Sequence, residues 1–312
     1  MNHQKKLVIS ILLGQTASGK KGIAFQLAKL INAEIISVDS MKVYRRMDIG
    51  TAKPSIAERR RVKCHLIDIV EPFEDYNAAR FVSDCDRAIS GIVERGKMPL
   101  LLVGTPMYLK ALLYGIFSDL HTNKELRLEL EKTAQANGSA FLHEQLKLVD
   151  PARADKIHPN DLKRIIRALE VYSVSGKTIS SLQVHFSRNE LRYDVKIVGL
   201  KWSNEELYKR IDARIDKMIK AGLIDEVKSL VCATKGLSPQ AEQAVGYKEV
   251  IQYLNNKLTL EQTIDLLKKN THHLARKQMT WFRRLPDVHW VECSDKKSSA
   301  SILEVVTEVL LL

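Results

Sequence analysis

No part of this chain is apolar for long enough to cross a bilayer. The most extended apolar runs, such as Leu7 to Leu13 and Leu100 to Val103, fall well short of the roughly 20 residues a spanning helix needs. No secretory leader is expected either. The short polar lead Asn2 to Lys6 passes straight into an apolar run ending at Gly14, with no small-residue cleavage pattern between them. Cysteine is sparse: Cys64, Cys85, Cys232 and Cys293 are widely scattered and form no C-x-x-C pair, which excludes a zinc finger and a disulfide framework and points to the cytoplasm. No internal repeat or low-complexity tract is present.

The 312 residues, 45% of them apolar, make about two domains at roughly 150 residues each and suffice for a substantial core, which excludes disordered and fibrous classes. Lys and Arg number 49 against 37 Asp and Glu, a net charge of +12. Such an excess favours phosphate-bearing partners or reflects solvated helix faces, and only its clustering separates the two.

Apolar runs bounded by turn residues at Leu7–Leu13, Glu34–Val38, Leu66–Val70, Pro99–Val103 and Val195–Leu200 predict buried parallel strands. Between them, Gly22–Ile31 and Ala78–Glu94 carry apolar residues at helical spacing. The first hundred residues therefore read as strand–helix units of a doubly wound α/β sheet. Beyond Gly115 the texture becomes charged and helical, with helices expected at Asn123–Gln135, Ala140–Leu148 and, behind an Asn160 cap, Asn160–Ser175. The expected organisation is a core of residues 1–120 plus 190–312 with a helical insertion domain over 121–189. Helices at Glu205–Ala221, Ile224–Val231, Ala244–Asn255, Leu260–His273 and Leu274–Leu285 should complete the core, punctuated by Gly222, Gly236 and Pro239.

Gly14-Gln15-Thr16-Ala17-Ser18-Gly19-Lys20 follows a strand and opens a helix, the context in which G-x-x-x-x-G-K forms a phosphate loop. The glycines let the backbone curl so that amide N–H groups and a helix N-terminus face a phosphate, with Lys20 as a point charge. Such loops normally end in Ser or Thr, whose hydroxyl ligates Mg²⁺, but here the next residue is Lys21, and an ammonium cannot ligate a cation. Either Mg²⁺ is held by other oxygens, with Thr16, Ser18 and Asp39 as local candidates, or Lys21 partly replaces it electrostatically. Asp39-Ser40 ends the second strand, where the carboxyl edge of a parallel sheet opens into the ligand crevice. Asp39 is thus placed for chemistry, or else caps a turn.

Gly14–Lys20, Ile36-Ser37-Val38-Asp39-Ser40, Met47-Asp48-Ile49-Gly50-Thr51-Ala52-Lys53-Pro54 and Pro99–Leu113 occur in one order, followed by His158-Pro159-Asn160-Asp161, Arg167-Ala168-Leu169-Glu170, Ser175-Gly176-Lys177, Arg214 to Leu230, Gln243–Leu254 and Lys277-Gln278-Met279-Thr280-Trp281-Phe282-Arg283. Together they resemble the tRNA dimethylallyltransferase (tRNA isopentenyltransferase) family over nearly the whole chain. G-x-x-x-x-G-K is shared by many phosphate binders, whereas D-I-G-T-A-K-P and K-Q-x-T-W-F-R at these spacings are specific. With no zinc-finger pattern after Arg284, the resemblance is to the shorter, bacterial-type architecture.

The resemblance implies a P-loop-type parallel sheet flanked by helices, and an enzyme that moves a dimethylallyl group from dimethylallyl diphosphate to N6 of the adenosine 3′-adjacent to the anticodon (position 37) of tRNA. It implies Asp39 as general base, Thr105 on the bridging oxygen and Arg214 on the diphosphate. The loop Gly14, Gln15, Thr16, Ala17, Ser18, Gly19, Lys20, with Lys21, would bind the diphosphate. Asp39, Ser40, Met41, Lys42, Lys163, Arg164, Arg167, Gln243 and Lys277 would meet the tRNA anticodon stem-loop. Read from the residues alone, the default for Arg214 is a surface arginine pairing with Asp212 or Asp216. Arg276, Lys277, Arg283 and Arg284, interleaved with Trp281 and Phe282, are either cations and stacking rings for RNA or one side of an amphipathic helix with Trp281 in the core.

The chain departs from the family pattern at Lys21, Lys42, Arg46 and Val103. Val103 stands in place of a glycine, which raises the expectation that a positive φ or a close backbone approach is lost there. Alternative readings are an adenylate isopentenyltransferase acting on free nucleotide, a catalytically weakened tRNA-binding homologue, or a small-molecule kinase resting on Gly14–Lys20 alone. A cytoplasmic monomer is expected.

Overall fold

The computed structural model describes residues 6–115, 123–182 and 190–311. Most of the polar lead Asn2 to Lys6 and the expected domain edges at 120, 121 and 189 lie outside them. In order, the elements are β1 Val8–Gly14, α1 Lys20–Leu30, β2 Ala33–Val38, α2 Ile56–Arg61, β3 Cys64–His65, α3 Ala78–Glu94, β4 Met98–Val103 and α4 Pro106–Tyr114, then α5 Lys124–Asn137, α6 Ser139–Val149, α7 Pro151–Ala154, α8 Leu162–Ser175 and α9 Ile179–Leu182. There follow β5 Asp194–Lys201, α10 Asn204–Lys220, α11 Leu223–Val231, α12 Pro239–Glu242, α13 Tyr247–Leu254, α14 Leu260–Phe282, β6 Val288–Glu292 and α15 Ser299–Leu311. The chain divides into two compact units, Met1–Leu113 with Arg192–Leu312, and Tyr114–Leu191.

In the first unit the described residues form a six-stranded sheet in the order β3-β2-β4-β1-β5-β6, every pair of neighbours parallel. Parallel strands covered by helices on both faces must be apolar throughout rather than alternating. Accordingly, six of the seven residues of β1 and all six of β2 are buried. The helix α3 shows the matching logic: Ala78, Phe81, Val82, Cys85, Ile89 and Ile92 are its buried stripe, and the Asn77 side chain accepts from the Arg80 N–H to cap it. Register pairs Leu13 with Val103 and Val38 with Val103. The carboxyl ends of β1, β4 and β2 therefore lie side by side.

Several expectations need correction. Leu66–Val70 is not a strand, because Leu66 and Asp68 adopt left-handed φ values of 60° and 56°. The pairing falls instead on Cys64–His65, with one bridge from Val70 to Tyr44. Leu260–Leu285 was read as two helices but α14 is continuous, since nothing at Leu274 breaks the backbone ladder. Asp161, not Asn160, caps α8, accepting from the Arg164 N–H. The edge strand β6 and helix α15 were not anticipated.

The second unit is helical. A core that includes Leu142, Leu146, Ile157, Ile165 and Val171 holds α5, α6 and α8 together. At its edge the buried carboxylate of Glu170 is saturated: Arg127 donates from Nε and Nη2, both at 2.9 Å, Arg167 from Nη1 at 2.6 Å, and the Asn123 amide at 2.9 Å. A buried carboxylate is tolerated only when surrounded in this way.

Candidate active site

The phosphate loop curls because Ala17 and Gly19 take positive φ, 62° and 83°, which turns successive amides to one side. Other elements hold that curl. Gln15 donates from Nε2 to the Ala275 carbonyl at 2.9 Å, and Gln278 Oε1 accepts from the Thr16 amide at 2.8 Å. From α10, Arg210 donates through Nε to the Ala17 carbonyl at 3.1 Å while its guanidinium lies 4.0 Å from the ring centroid of Trp202, whose indole N–H donates to the Ser18 carbonyl at 3.0 Å. Arg214 Nη1 approaches Thr16 Oγ1 at 3.3 Å.

Arg214 is not the alternative surface pair. Asp212 is taken by His272 and Asp216 by Lys268, leaving the guanidinium of Arg214 to face the loop. Gln278, Arg210 and Trp202 are not among the site residues expected from the sequence. In Gln278 the signal was present, since it lies inside the K-Q-x-T-W-F-R stretch.

On the neighbouring strand ends, Asp39 and Thr105 come together. Asp39 Oδ1 accepts the amides of Met41 at 2.9 Å and Lys42 at 3.3 Å, so one oxygen caps a turn, as the second reading of this residue expected. The other oxygen, Oδ2, is 3.8 Å from Lys42 Nζ and lies beside Gly104, where an added Cβ would come within 2.9 Å of it. Thr105 Oγ1 accepts from the Ser40 amide at 3.0 Å and donates to Ser40 Oγ at 3.2 Å. Gln278 joins the two halves, because its Nε2 donates to the Gly104 carbonyl at 2.7 Å while its Oε1 holds Thr16.

Charge is concentrated here. Burial, then Lys42 and Arg214, push the Lys20 ammonium down to about 7, against the pull of Asp39. Lys42 is shifted in the same direction by burial, with Asp39 opposing and Arg214 and Lys21 reinforcing. Lys21 points to Glu58 at 3.0 Å. These cations crowd one another without enough carboxylates, which is favourable only for a site that receives an anion. Beside Thr16 and Arg214 opens a pocket walled by Ile211, Ile215, Met218, Leu267 and Leu274 among others.

The D-I-G-T-A-K-P stretch is scaffolding for this crevice. Glu226 accepts the amides of Asp48 (2.9 Å), Ile49 (2.7 Å) and Gly50 (3.1 Å), and the hydroxyl of Tyr247 at 2.5 Å. Gly50 is required because a Cβ there would stand 2.4 Å from the Tyr247 ring. Lys53, its side chain 2% exposed, donates to Asp48 at 2.8 Å and Asp68 at 2.6 Å.

Of the remaining candidates, Ser40, Met41 and Lys42 adjoin Asp39, and Gln243 and Lys277 are exposed. Lys163 is exposed on α8, whereas Arg164 pairs with Asp161 and Arg167 with Glu170. Trp281 is 40% exposed and Phe282 fully buried, so the core reading of Trp281 fails: α14 turns Phe282 inward and leaves Trp281 among Arg276, Lys277, Arg283 and Arg284, all exposed. At Val103 no positive φ is needed. Val103 is buried at the end of β4 without a positive φ, while it is Arg46 that takes φ 62°. Arg46 is tied down by Glu71 at 3.0 Å.

A profile of the family described as IPP transferase matches residues 42–285. Among relatives, a tRNA dimethylallyltransferase of Carboxydothermus hydrogenoformans is 45% identical, covering 97% of each chain. One of Halothermothrix orenii is 44% identical over 96% of this chain and 93% of its own. The fold is similar to a solved tRNA delta(2)-isopentenylpyrophosphate transferase from Staphylococcus epidermidis, with TM-score 0.70, 36% identity, and 97% and 98% of the two chains covered. A solved eukaryotic dimethylallyltransferase acting on tRNA superposes with TM-score 0.82 at 28% identity, covering 98% of this chain and 80% of its own.

Proposed function

The chain belongs to the IPP transferase family and is a prenyltransferase acting on tRNA, and from that premise we propose that it converts the adenosine 3′-adjacent to the anticodon to N6-isopentenyladenosine, releasing diphosphate. The observation that supports this reading is the juxtaposition of Asp39 and Thr105 on strand ends beside the phosphate loop, with Gln278 bonded to both Thr16 and Gly104.

In this reading Lys20, Arg214 and the amides from Gln15 to Gly19 receive the diphosphate, and Thr105 donates to its bridging oxygen. The apolar cavity beside Arg214 takes the five-carbon tail. The exocyclic amine is a poor nucleophile until its proton is removed, and the base must leave its stack to reach the donor. As the N6–C1 bond forms, the C1–O bond breaks, its electron pair leaves on the diphosphate, and the N6 proton passes to Asp39. The preorganised cations and amides stabilise the charge growing on the leaving group. Ser40, Met41, Lys42, Gln243 and Lys277, with Lys163, Arg164 and Arg167 of the helical unit, contact the anticodon stem-loop. A Mg²⁺ ion of the kind such loops use finds no hydroxyl at Lys21, and no step here runs through it.

The test is to incubate the protein with an anticodon stem-loop RNA and dimethylallyl diphosphate, digest the RNA and measure isopentenyladenosine by mass spectrometry. Product is expected only when the adenosine next to the anticodon is present. Its absence with folded protein, or equal prenylation of free AMP at micromolar concentration, contradicts the proposal.

A further inference from the structure

A phosphate loop implies a magnesium ion through the hydroxyl that normally follows its lysine, and the donor set of this site does not fit one. That position is Lys21, whose Nζ lies 3.0 Å from Glu58 Oε1 and 3.1 Å from Oε2. Of the nearby oxygens, those of Thr16 and Asp39 are engaged elsewhere, and Ser18 Oγ, though it has no hydrogen-bond partner, is buried. Thr16 Oγ1 faces Arg214. Ser18 Oγ is buried under the loop against Gly14, where a Cβ on that glycine would meet it at 2.7 Å. Asp39 Oδ1 accepts two amides and Oδ2 faces Lys42.

Cations fill the place instead. Lys20, Lys21, Lys42 and Arg214 surround the crevice, and the carboxylates paired with them are Asp39 and Glu58. With every cation protonated, that is two more positive charges than negative ones, the charge of one divalent ion. Lys42 is three residues from Asp39 with its side chain 12% exposed, close enough to turn from Asp39 Oδ2 to an incoming phosphate oxygen. That exchange neutralises the diphosphate and frees the carboxylate oxygen that accepts the N6 proton.

We propose that Lys42 and Lys21 take the electrostatic place of a divalent cation, so that this enzyme binds and cleaves dimethylallyl diphosphate without Mg²⁺. The inference rests on the reading of this crevice as the diphosphate site. In the step itself the C1–O electron pair departs on the diphosphate, whose new charge is met by the two ammonium groups, and the N6 proton goes to Asp39.

Two readouts test it, each in EDTA and in Mg²⁺. One is calorimetric binding of dimethylallyl diphosphate to the protein alone. The other is single-turnover transfer to a short stem-loop that folds in potassium chloride. The wild-type protein should give affinities and rates within about threefold in the two conditions. The double variant Lys21→Thr, Lys42→Gln should lose about tenfold or more of its affinity in EDTA and recover with Mg²⁺, while Lys42→Arg should keep metal-free binding. Circular dichroism reports whether each variant is folded, and Lys42→Gln alone replaces the double variant if that one is not. A wild-type protein whose binding and transfer collapse about 100-fold in EDTA and return with Mg²⁺ overturns the inference and leaves the diphosphate site standing. Variants as indifferent to metal as wild type overturn it equally. A wild-type protein that binds no dimethylallyl diphosphate in either condition refutes the reading of the crevice, and the inference with it.

Discussion

At the scale of single residues, the two oxygens of Asp39 have different work. Oδ1 is fixed by the amides of Met41 and Lys42, and Oδ2 is open toward Gly104 and Lys42. Gly104 matters for space rather than conformation, since its φ is not positive. Gly104→Ala should place a methyl within 2.9 Å of Oδ2 and displace it, lowering kcat about 10- to 100-fold while Tm moves by less than about 4 °C. Steady-state kinetics beside a melting curve check both halves of that expectation. Lys20 makes a second prediction. Held down to about 7 by burial and by Lys42 and Arg214, it regains its proton when the diphosphate arrives, so above that pH the complex carries more protons than its parts. Affinity must then fall as pH rises above about 7. Titrations at about pH 8 in two buffers of different ionisation enthalpy should show proton uptake on binding, and a binding heat independent of the buffer contradicts it.

At the scale of elements, the phosphate loop owes its shape to partners far along the chain, 193 positions from Ala17 to Arg210 and 262 from Thr16 to Gln278. G-x-x-x-x-G-K was legible because its chemistry is local: glycines, amides and a lysine in one turn. For Gln278 the K-Q-x-T-W-F-R stretch marks the residue but not its role, because its partners Gly104 and Thr16 reach either side of it only in the fold. Continuity of α14 was likewise hidden, since two short apolar stripes read alike whether or not the helix breaks between them. Glu226 is the comparable case for the D-I-G-T-A-K-P loop, collecting three amides and the Tyr247 hydroxyl. Glu226→Ala leaves those donors without an acceptor and should destabilise the fold by about 2 kcal/mol or more, with Glu226→Gln costing less. Chemical denaturation of the three proteins decides it, and equal stability of Glu226→Ala and wild type contradicts the clamp.

At the scale of the whole molecule, the parallel sheet was readable from continuous apolar runs, and the strand that failed, Leu66–Val70, did so through two left-handed residues that hydropathy cannot register. The edge strand β6 escaped for the opposite reason: only Val291 of its five residues is buried, so it carries little apolar signal. The net charge of +12 took on meaning once placed, with Lys20, Lys21, Lys42 and Arg214 around the crevice and Arg276, Lys277, Arg283 and Arg284 exposed at the end of α14. In the proposed mechanism the central chemical event is removal of the N6 proton by Asp39. The most direct measurement is therefore the single-turnover rate of dimethylallyl transfer by Asp39→Asn on saturating stem-loop RNA, with RNA affinity measured in parallel. The substitution keeps the shape and the capping oxygen but removes the basicity, so the rate should fall about 10²- to 10⁴-fold with affinity nearly unchanged; a weakened affinity with the single-turnover rate intact would make Asp39 a positioning residue and contradict the mechanism.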